Sequence, residues 1–366
     1  MIITKVEATP VSIPLKKPFV ISLGVMKTLD HVIVRLYTDS DVVGLGEAAP
    51  VPIFCEESYE DAKIVIDKYL APAIIGEDLF NLERITERMD MAIKGHKYAK
   101  AAIDLAIWDA MGKALDVPAF QLLGGLYREK IPIVWIIGVG KQEEMAAEAK
   151  QYIKKGFSNI KVKIGMNPKE DIQNVEAIRS AIGENPTIRV DANQGYSAAT
   201  AIKTLRQMEK YDLELIEQPV PGWDFDGMSK IAAALDTPVM ADESLFSPKD
   251  ALRLVQMRAA EIFNIKIMKP GGLYASKKIA HIAESAGIPC LVGSMIEMGI
   301  GTAACVHFAC STRIVQYPSE LIGTAMLTDD ILKEPYVASN GFLKVPKKPG
   351  FGVELDEEKL EKYKVI

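Results

Sequence analysis

The sequence predicts an α/β protein, a closed (β/α)8 barrel fitted with an N-terminal α+β capping domain, and three observations predict it. From about residue 130, runs of four to six apolar residues recur about every 25 residues and end abruptly in a charge. Buried parallel strands read this way, as near-continuous apolar runs. Amphipathic stretches such as EEMAAEAKQYIKKG and SPKDALRLVQMRAAE fill the gaps between them. The N-terminal third instead shows strands first and helices afterwards, the order of an α+β unit.

Residues 1–125 form the expected capping domain. The runs 1–14, 31–38 and 42–47 alternate in polarity as strands do, with a turn at 39–41. Helices are expected over 57–71, 82–93 and 99–115, and Gly124–Gly125 stops the last helical region. The barrel is expected over 126–329. Its strand candidates are 132–137, 159–164, 187–191, 214–217, 238–241, 262–266, 289–293 and the less regular 314–321. Eight strands with intervening helices over about 190 residues suit a TIM-type barrel. A doubly wound open sheet is the alternative, but the first βα turn lacks a GxGxxG loop. The segment 330–366, with a strand at 342–345 and a turn at 346–350, is expected to return to the capping domain.

Composition narrows the functional classes. The 366 residues are 49% hydrophobic and 25% charged, as in an ordinary globular protein. A net charge of −6 gives no electrostatic reason to expect nucleic acid as a partner. Four cysteines without CxxC spacing suggest neither a zinc site nor a disulfide framework. The N-terminus reads as a strand rather than a leader, and the most apolar stretch, 131–139, is too short to span a bilayer. A cytoplasmic protein that binds no membrane is expected.

The charges that end the apolar runs carry the chemistry. They are Lys161 and Lys163 in NIKVKIG, Asp191 in IRVDANQG, Glu217 in LELIEQP, Asp242 in PVMADES and Lys266 in IFNIKIMKPGG. Asp191, Glu217 and Asp242 stand 26 and then 25 residues apart, with Lys266 24 further on, so a barrel gathers them at one rim. Each acid could cap a helix or pair with a lysine. Three together, supplying only oxygen, suit a hard divalent cation, Mg²⁺ or Mn²⁺. Lys161 and Lys163 share one strand face and point into the barrel. Burial and positive neighbours are expected to lower the pKa of such lysines and make them usable bases. Lys266, from the sixth strand, lies across the barrel from the second. A cation on a substrate carboxylate with amines on either side suits proton transfer at the adjacent carbon, through an enolate.

In order and spacing, these six residues resemble the enolase superfamily, and within it the muconate lactonizing enzyme subgroup. The resemblance covers essentially the whole chain. It implies that Asp191, Glu217 and Asp242 bind the metal, that Lys163 and Lys266 are the acid/base pair, and that Lys161 orients a small carboxylate-bearing substrate. Asn193 and Glu243 are expected to hold the metal ligands in place. The resemblance further implies a homo-oligomer, often an octamer. The mandelate racemase type needs a histidine after the seventh strand, and LVGSMIE (291–297) has none. His307 is expected on the following helix and His96 in the capping domain, both in structural roles.

The subgroup includes cycloisomerases, N-acylamino acid racemases, dipeptide epimerases and o-succinylbenzoate synthases. The segment YPSELIGTAMLTDDI resembles that of muconate cycloisomerases, with Glu320 as the rim acid. It lacks the aspartate pair with which dipeptide epimerases hold an ammonium, although Ser319–Glu320 offers one carboxylate. PLKKPFVISLG and LVGSMIEMGIG, the latter contributing Ser294 and Glu297, instead resemble the epimerases. Phe19, Ile21, Met26, Ile53 and Phe54 are expected to form an apolar lid that excludes water. On balance the sequence favours muconate-type cycloisomerisation over 1,1-proton transfer on an acylated amino acid or dipeptide. A hydroxy-acid dehydratase would begin with the same proton abstraction. A Schiff-base aldolase would use a strand-end lysine but leave the three acids unexplained.

Overall fold

The computed structural model describes residues 1–365. Its N-terminal strands β1 (Ile3–Ile21), β2 (Gly24–Thr38) and β3 (Val43–Ala48) form an antiparallel sheet in that order. The alternation legible to residue 14 understates β1, which continues to Ile21 after a register shift between Pro14 and Phe19. Pro14 and Pro18 bracket the shift because neither can donate a ladder hydrogen bond. The β1–β2 hairpin therefore extends as a long arm that carries Phe19, Ile21 and Met26.

The sheet packs on the helix Lys97–Ala114, which is buried on almost every side. Two glycines of β3 let the helix approach. A Cβ on Gly44 would sit 2.0 Å from the Ala106 carbonyl oxygen, and one on Gly46 would sit 1.9 Å from that of Ala102. The first helical region begins at Tyr59 behind a capping box of Ser58 and Asp61. It passes through a π-helical turn, Ile66–Leu70, just before Pro72, whose missing N–H breaks the ordinary ladder.

The expected first barrel strand is two strands. β4 (Lys130–Pro132) pairs with the C-terminal tail, and β5 (Trp135–Ile137) starts the barrel. The parallel sheet then runs through β6 (Asn159–Lys163), β7 (Thr187–Asp191), β8 (Leu213–Glu217), β9 (Val239–Ala241), β10 (Ile262–Ile265) and β11 (Cys290–Val292). The eighth stave is irregular. Bridges Cys290–Val315 and Ile133–Ser319 tie residues 315–319 to both edges of the sheet and close the ring. The loops into the helices Pro168–Ile182, Ala198–Met208, Phe225–Ala234 and Pro248–Met257 end in Asn167, Ser197, Asp224 and Ser247, each of whose side chains caps the helix.

Inside the barrel, Leu215, Met240, Ile262 and Leu291 form an apolar plug of their own. Leu215 and Met240 lie two residues before Glu217 and Asp242, so each charged side chain projects from the same strand face, one layer higher. In the tail, β12 (Phe342–Lys344) pairs with β4, and Val365 donates its N–H to the Pro10 carbonyl of β1. Among the described residues no helix is long and apolar enough to cross a membrane.

Candidate active site

The strand register brings the rim charges together. Lys163 is level with Asp191 across the β6–β7 pair, and Asp191 with Glu217 across β7–β8. Asp191, Glu217 and Asp242 are fully buried, and Lys161, Lys163 and Lys266 nearly so. Lys161 Nζ lies 2.6 Å from Glu217 Oε2, 2.9 Å from Asp191 Oδ2 and 2.5 Å from Glu320 Oε2. Lys163 donates to Asp191 Oδ2 and Asn193 Oδ1, each at 2.6 Å. Lys266 donates to Asp242 Oδ2 at 2.7 Å. Asn193 Nδ2 in turn donates to Glu243 Oε1 at 2.9 Å.

At Lys161 and Lys266 the electrostatics depart from the expectation of depressed lysine pKa values. Burial does pull Lys266 and Lys161 down, but the facing carboxylates outweigh it. Asp242 and Glu217 raise Lys266, and Asp191, Glu217 and Glu320 raise Lys161 further. Burial works against the Asp191 carboxylate, yet Lys161 and Lys163 hold it at about 2. Glu217 lies well above the carboxylate range through burial and its neighbours Asp191 and Glu320. Glu243 is pushed up to about 7 by burial and by Asp242 and Asp191.

These residues fit a hard divalent cation. Asp191, Glu217 and Asp242 offer only oxygen from adjacent strands, and buried Glu243 Oε2 has no partner. Lysine ammonium groups now stand between the carboxylates. Among the described residues, no three His, Cys, Asp or Glu side chains converge on one point at metal-ligand spacing.

Above the charges lies a cavity lined by Lys161, Lys163, Lys266, Asn193, Ser294 and Glu320, with Phe19, Ile21, Met26 and Phe54 from the capping domain. Two expected contacts are not on its wall. Ile53 is on the outer side of the lid turn, 40% exposed, while Val51 faces inward. Glu297 is fully buried and turned back into its own loop, where Oε2 accepts from Ser294 Oγ at 2.5 Å and Oε1 from the Met295 N–H at 3.0 Å. Glu320 reaches the wall but is not free for an ammonium. Lys161 holds Oε2, and Arg189 Nη1 lies 3.3 Å from Oε1.

Several participants were not singled out in the sequence. Lys269, three residues after Lys266, is fully buried and donates to Asp242 Oδ1 and to its carbonyl oxygen, each at 2.6 Å. The repeated lysine in KIMK was its only signal. Asn264 donates to Glu217 Oε1 at 2.8 Å. Glu47 in the capping domain accepts from the Met298 and Gly301 N–H groups, each at 2.7 Å, and so fixes the loop after β11. Asp104 does the same for the turn after Lys269 by accepting from the Leu273 N–H at 2.6 Å. The two histidines are apart from the rim. His307 accepts from the Phe120 N–H at Nδ1 and donates from Nε2 to the Phe351 carbonyl. His96 precedes the helix Lys97–Ala114 in a left-handed conformation.

Two family models match the chain. The mandelate racemase/muconate lactonizing enzyme N-terminal domain matches residues 3–124, and the enolase C-terminal domain-like model matches residues 144–359. The chain belongs to the mandelate racemase/muconate lactonizing enzyme family. Within this branch of the enolase superfamily it is an isomerase of the muconate lactonizing type. The N-succinyl-L-Arg/Lys racemase of Bacillus cereus is 39% identical over 100% of this chain and 99% of its own. Its crystal structure superposes with a TM-score of 0.97. Muconate cycloisomerase 1 of Acinetobacter baylyi is 35% identical over 98% of both chains. A dipeptide epimerase of Enterococcus faecalis, solved with Mg and L-Leu-L-Tyr, is 35% identical over 97% of this chain and 100% of its own, with a TM-score of 0.94. Within the mandelate racemase/muconate lactonizing enzyme family, one fold is thus shared by enzymes named as racemase, epimerase and cycloisomerase.

Proposed function

We propose that this enzyme racemises N-acylated amino acids with apolar side chains, by 1,1-proton transfer at the carbon next to the carboxylate. The observation that carries this reading is that Lys163 and Lys266, from opposite sides of the barrel, line one cavity. Cycloisomerisation needs one proton donor. Inverting a carbon needs a base on each face.

The rest of the cavity supports the substrate class. Glu320 is already paired with Lys161 and Arg189, so the wall offers no free carboxylate to an α-ammonium group. An N-acyl group removes that charge. Phe19, Ile21, Met26, Val51, Ile322 and Met326 favour an apolar side chain, and Ser294 offers a neutral polar contact.

Asp191, Glu217 and Asp242 would hold Mg²⁺, which when bound supplies positive charge to stabilise an enolate as the proton leaves. Lys161 orients the substrate carboxylate. Lys163 removes the α-proton from one face while Lys266 delivers one to the other, and the two exchange roles for the opposite enantiomer. The apolar lid keeps bulk water from the exposed carbanion. Four free cysteines suit a reducing cytoplasm, where we place the enzyme as a homo-oligomer.

The second reading is muconate-type cycloisomerisation, favoured by the single rim acid Glu320 in place of an aspartate pair. Incubation in D₂O with N-succinyl and N-acetyl derivatives of methionine, leucine and phenylalanine, with dipeptides and with cis,cis-muconate separates the readings. Deuterium at the α-carbon with both enantiomers recovered is the expected result. A lactone from muconate, with no exchange in any amino acid derivative, would replace the first reading by the second.

A further inference from the structure

We propose that Phe54 is a positioning residue for Lys266, coupling the lid to one of the two bases and not to the other. The inference rests on the two-base reading above. Phe54 belongs to the loop after β3, is half-buried, and lines the same cavity as both lysines. Its ring centroid lies 4.3 Å from Lys266 Nζ. Phe246, from the loop after β9, tilts against it with ring centroids 6.3 Å apart, and lies 5.3 Å from Lys269 Nζ. Each of the two ammonium groups that grip Asp242 thus faces an aromatic ring.

Lys163 is held differently. It has the Asn193 amide oxygen at 2.6 Å beside Asp191, and among the described residues no aromatic ring faces it. The asymmetry matters because a lysine amine ends a flexible four-carbon stem with no preferred direction of its own. Whenever Asp242 gives its oxygens to another cation, Lys266 loses its hydrogen-bond acceptor. The Phe54 face then remains to attract the ammonium form and keep it aimed into the cavity. Lys163 keeps Asn193 under the same conditions. Phe54 therefore supports proton traffic on the Lys266 face alone, and closing the lid loop completes that face.

The test follows α-deuterium uptake in D₂O with Mg²⁺, using N-succinyl-L-methionine and N-succinyl-D-methionine separately, at early times. The Lys266→Ala variant shows which enantiomer Lys266 deprotonates. Phe54→Leu, on a half-buried loop position, is expected to slow uptake by that enantiomer about 10-fold, the scale of a desolvated cation–π contact. Uptake by the other enantiomer is expected to change by less than about 2-fold, since Lys163 has no such contact. Phe54→Tyr, which keeps the ring face, is expected to restore the lost rate. Equal slowing of both enantiomers in Phe54→Leu, or no rescue by tyrosine, overturns the inference while leaving the racemase reading intact. Wild-type enzyme that exchanges neither enantiomer overturns the two-base reading and this inference with it.

Discussion

Lys161 Nζ and Glu320 Oε2 stand 2.5 Å apart, joining the second stave of the barrel to the irregular eighth. Arg189 backs this pair, with one guanidinium nitrogen 3.3 Å from Glu320 Oε1 and others on Glu214. The eighth stave has few ladder bonds, so this buried charge network pins it to the rest of the ring. Replacing Arg189 by methionine leaves the buried Glu320 with Lys161 as its one remaining ion-pair partner and takes the cation from Glu214. The expected cost is about 3–5 kcal/mol, the scale for breaking a buried ion pair by removing one partner. Denaturant unfolding measures it, and a change within error would show that Arg189 does not help to hold the eighth stave.

Metal dependence gives the second expectation. A chelator should abolish turnover, and Mg²⁺ should restore it. Binding to the folded state alone should also stabilise the protein by about 2.7 kcal/mol at 100 times the dissociation constant. The rise in Tm with Mg²⁺ should vanish in Asp242→Asn. Restoration by zinc alone would contradict the all-oxygen donor set.

His307 supplies a pH expectation away from the rim. Burial holds its pKa down at about 4, and its ordinary value is 6.5. Between these values the unfolded chain takes up a proton that the folded chain refuses, so stability falls as pH drops from about 6.5 to about 4 and is flat below. The slope is about 1.4 kcal/mol per pH unit in the middle of that window. His307→Gln, which keeps a donor and an acceptor, should lose this part of the difference in Tm between pH 7 and pH 5. An unchanged difference would mean that His307 titrates normally.

Much of this was legible in the sequence because strand ends are written in one dimension. An apolar run that stops at Asp191, Glu217 or Asp242 states both the strand and the depth of the side chain. The eighth stave was blurred because residues 315–319 bond through isolated bridges rather than a ladder, and such pairing leaves no periodicity. The arm beyond Pro14 was hidden by two prolines that interrupt alternation without ending the strand. Side-chain direction in loops was the other limit. Ile53 and Glu297 lie beside true cavity residues in sequence, yet one faces solvent and the other its own loop. The interdomain anchors Glu47 and Asp104 had no sequence signal, because the helix ends they cap are more than 150 residues away.

The carboxylates that pair with the two lysines also bear on how the bases act. Lys266 is bonded to Asp242 and Lys163 to Asp191. A divalent cation held by Asp191 and Asp242 would therefore compete with these ammonium groups for the same oxygens. Asp242→Asn removes one such charge and is expected to lower kcat by about 10²–10⁴-fold, the range for misplacing one acid/base group. Steady-state kinetics at saturating Mg²⁺ check this, and an unchanged kcat would place Asp242 outside the reaction.

The most direct test of two-base proton transfer is α-deuterium uptake by each enantiomer of N-succinyl-methionine in Lys163→Ala and Lys266→Ala. Each variant should lose racemisation by about 10²–10⁴-fold. Each should still exchange the α-proton of one enantiomer, with opposite enantiomers surviving in the two variants. Loss of exchange for the same enantiomer in both variants, or full racemisation in either, would contradict a base on each face of the substrate.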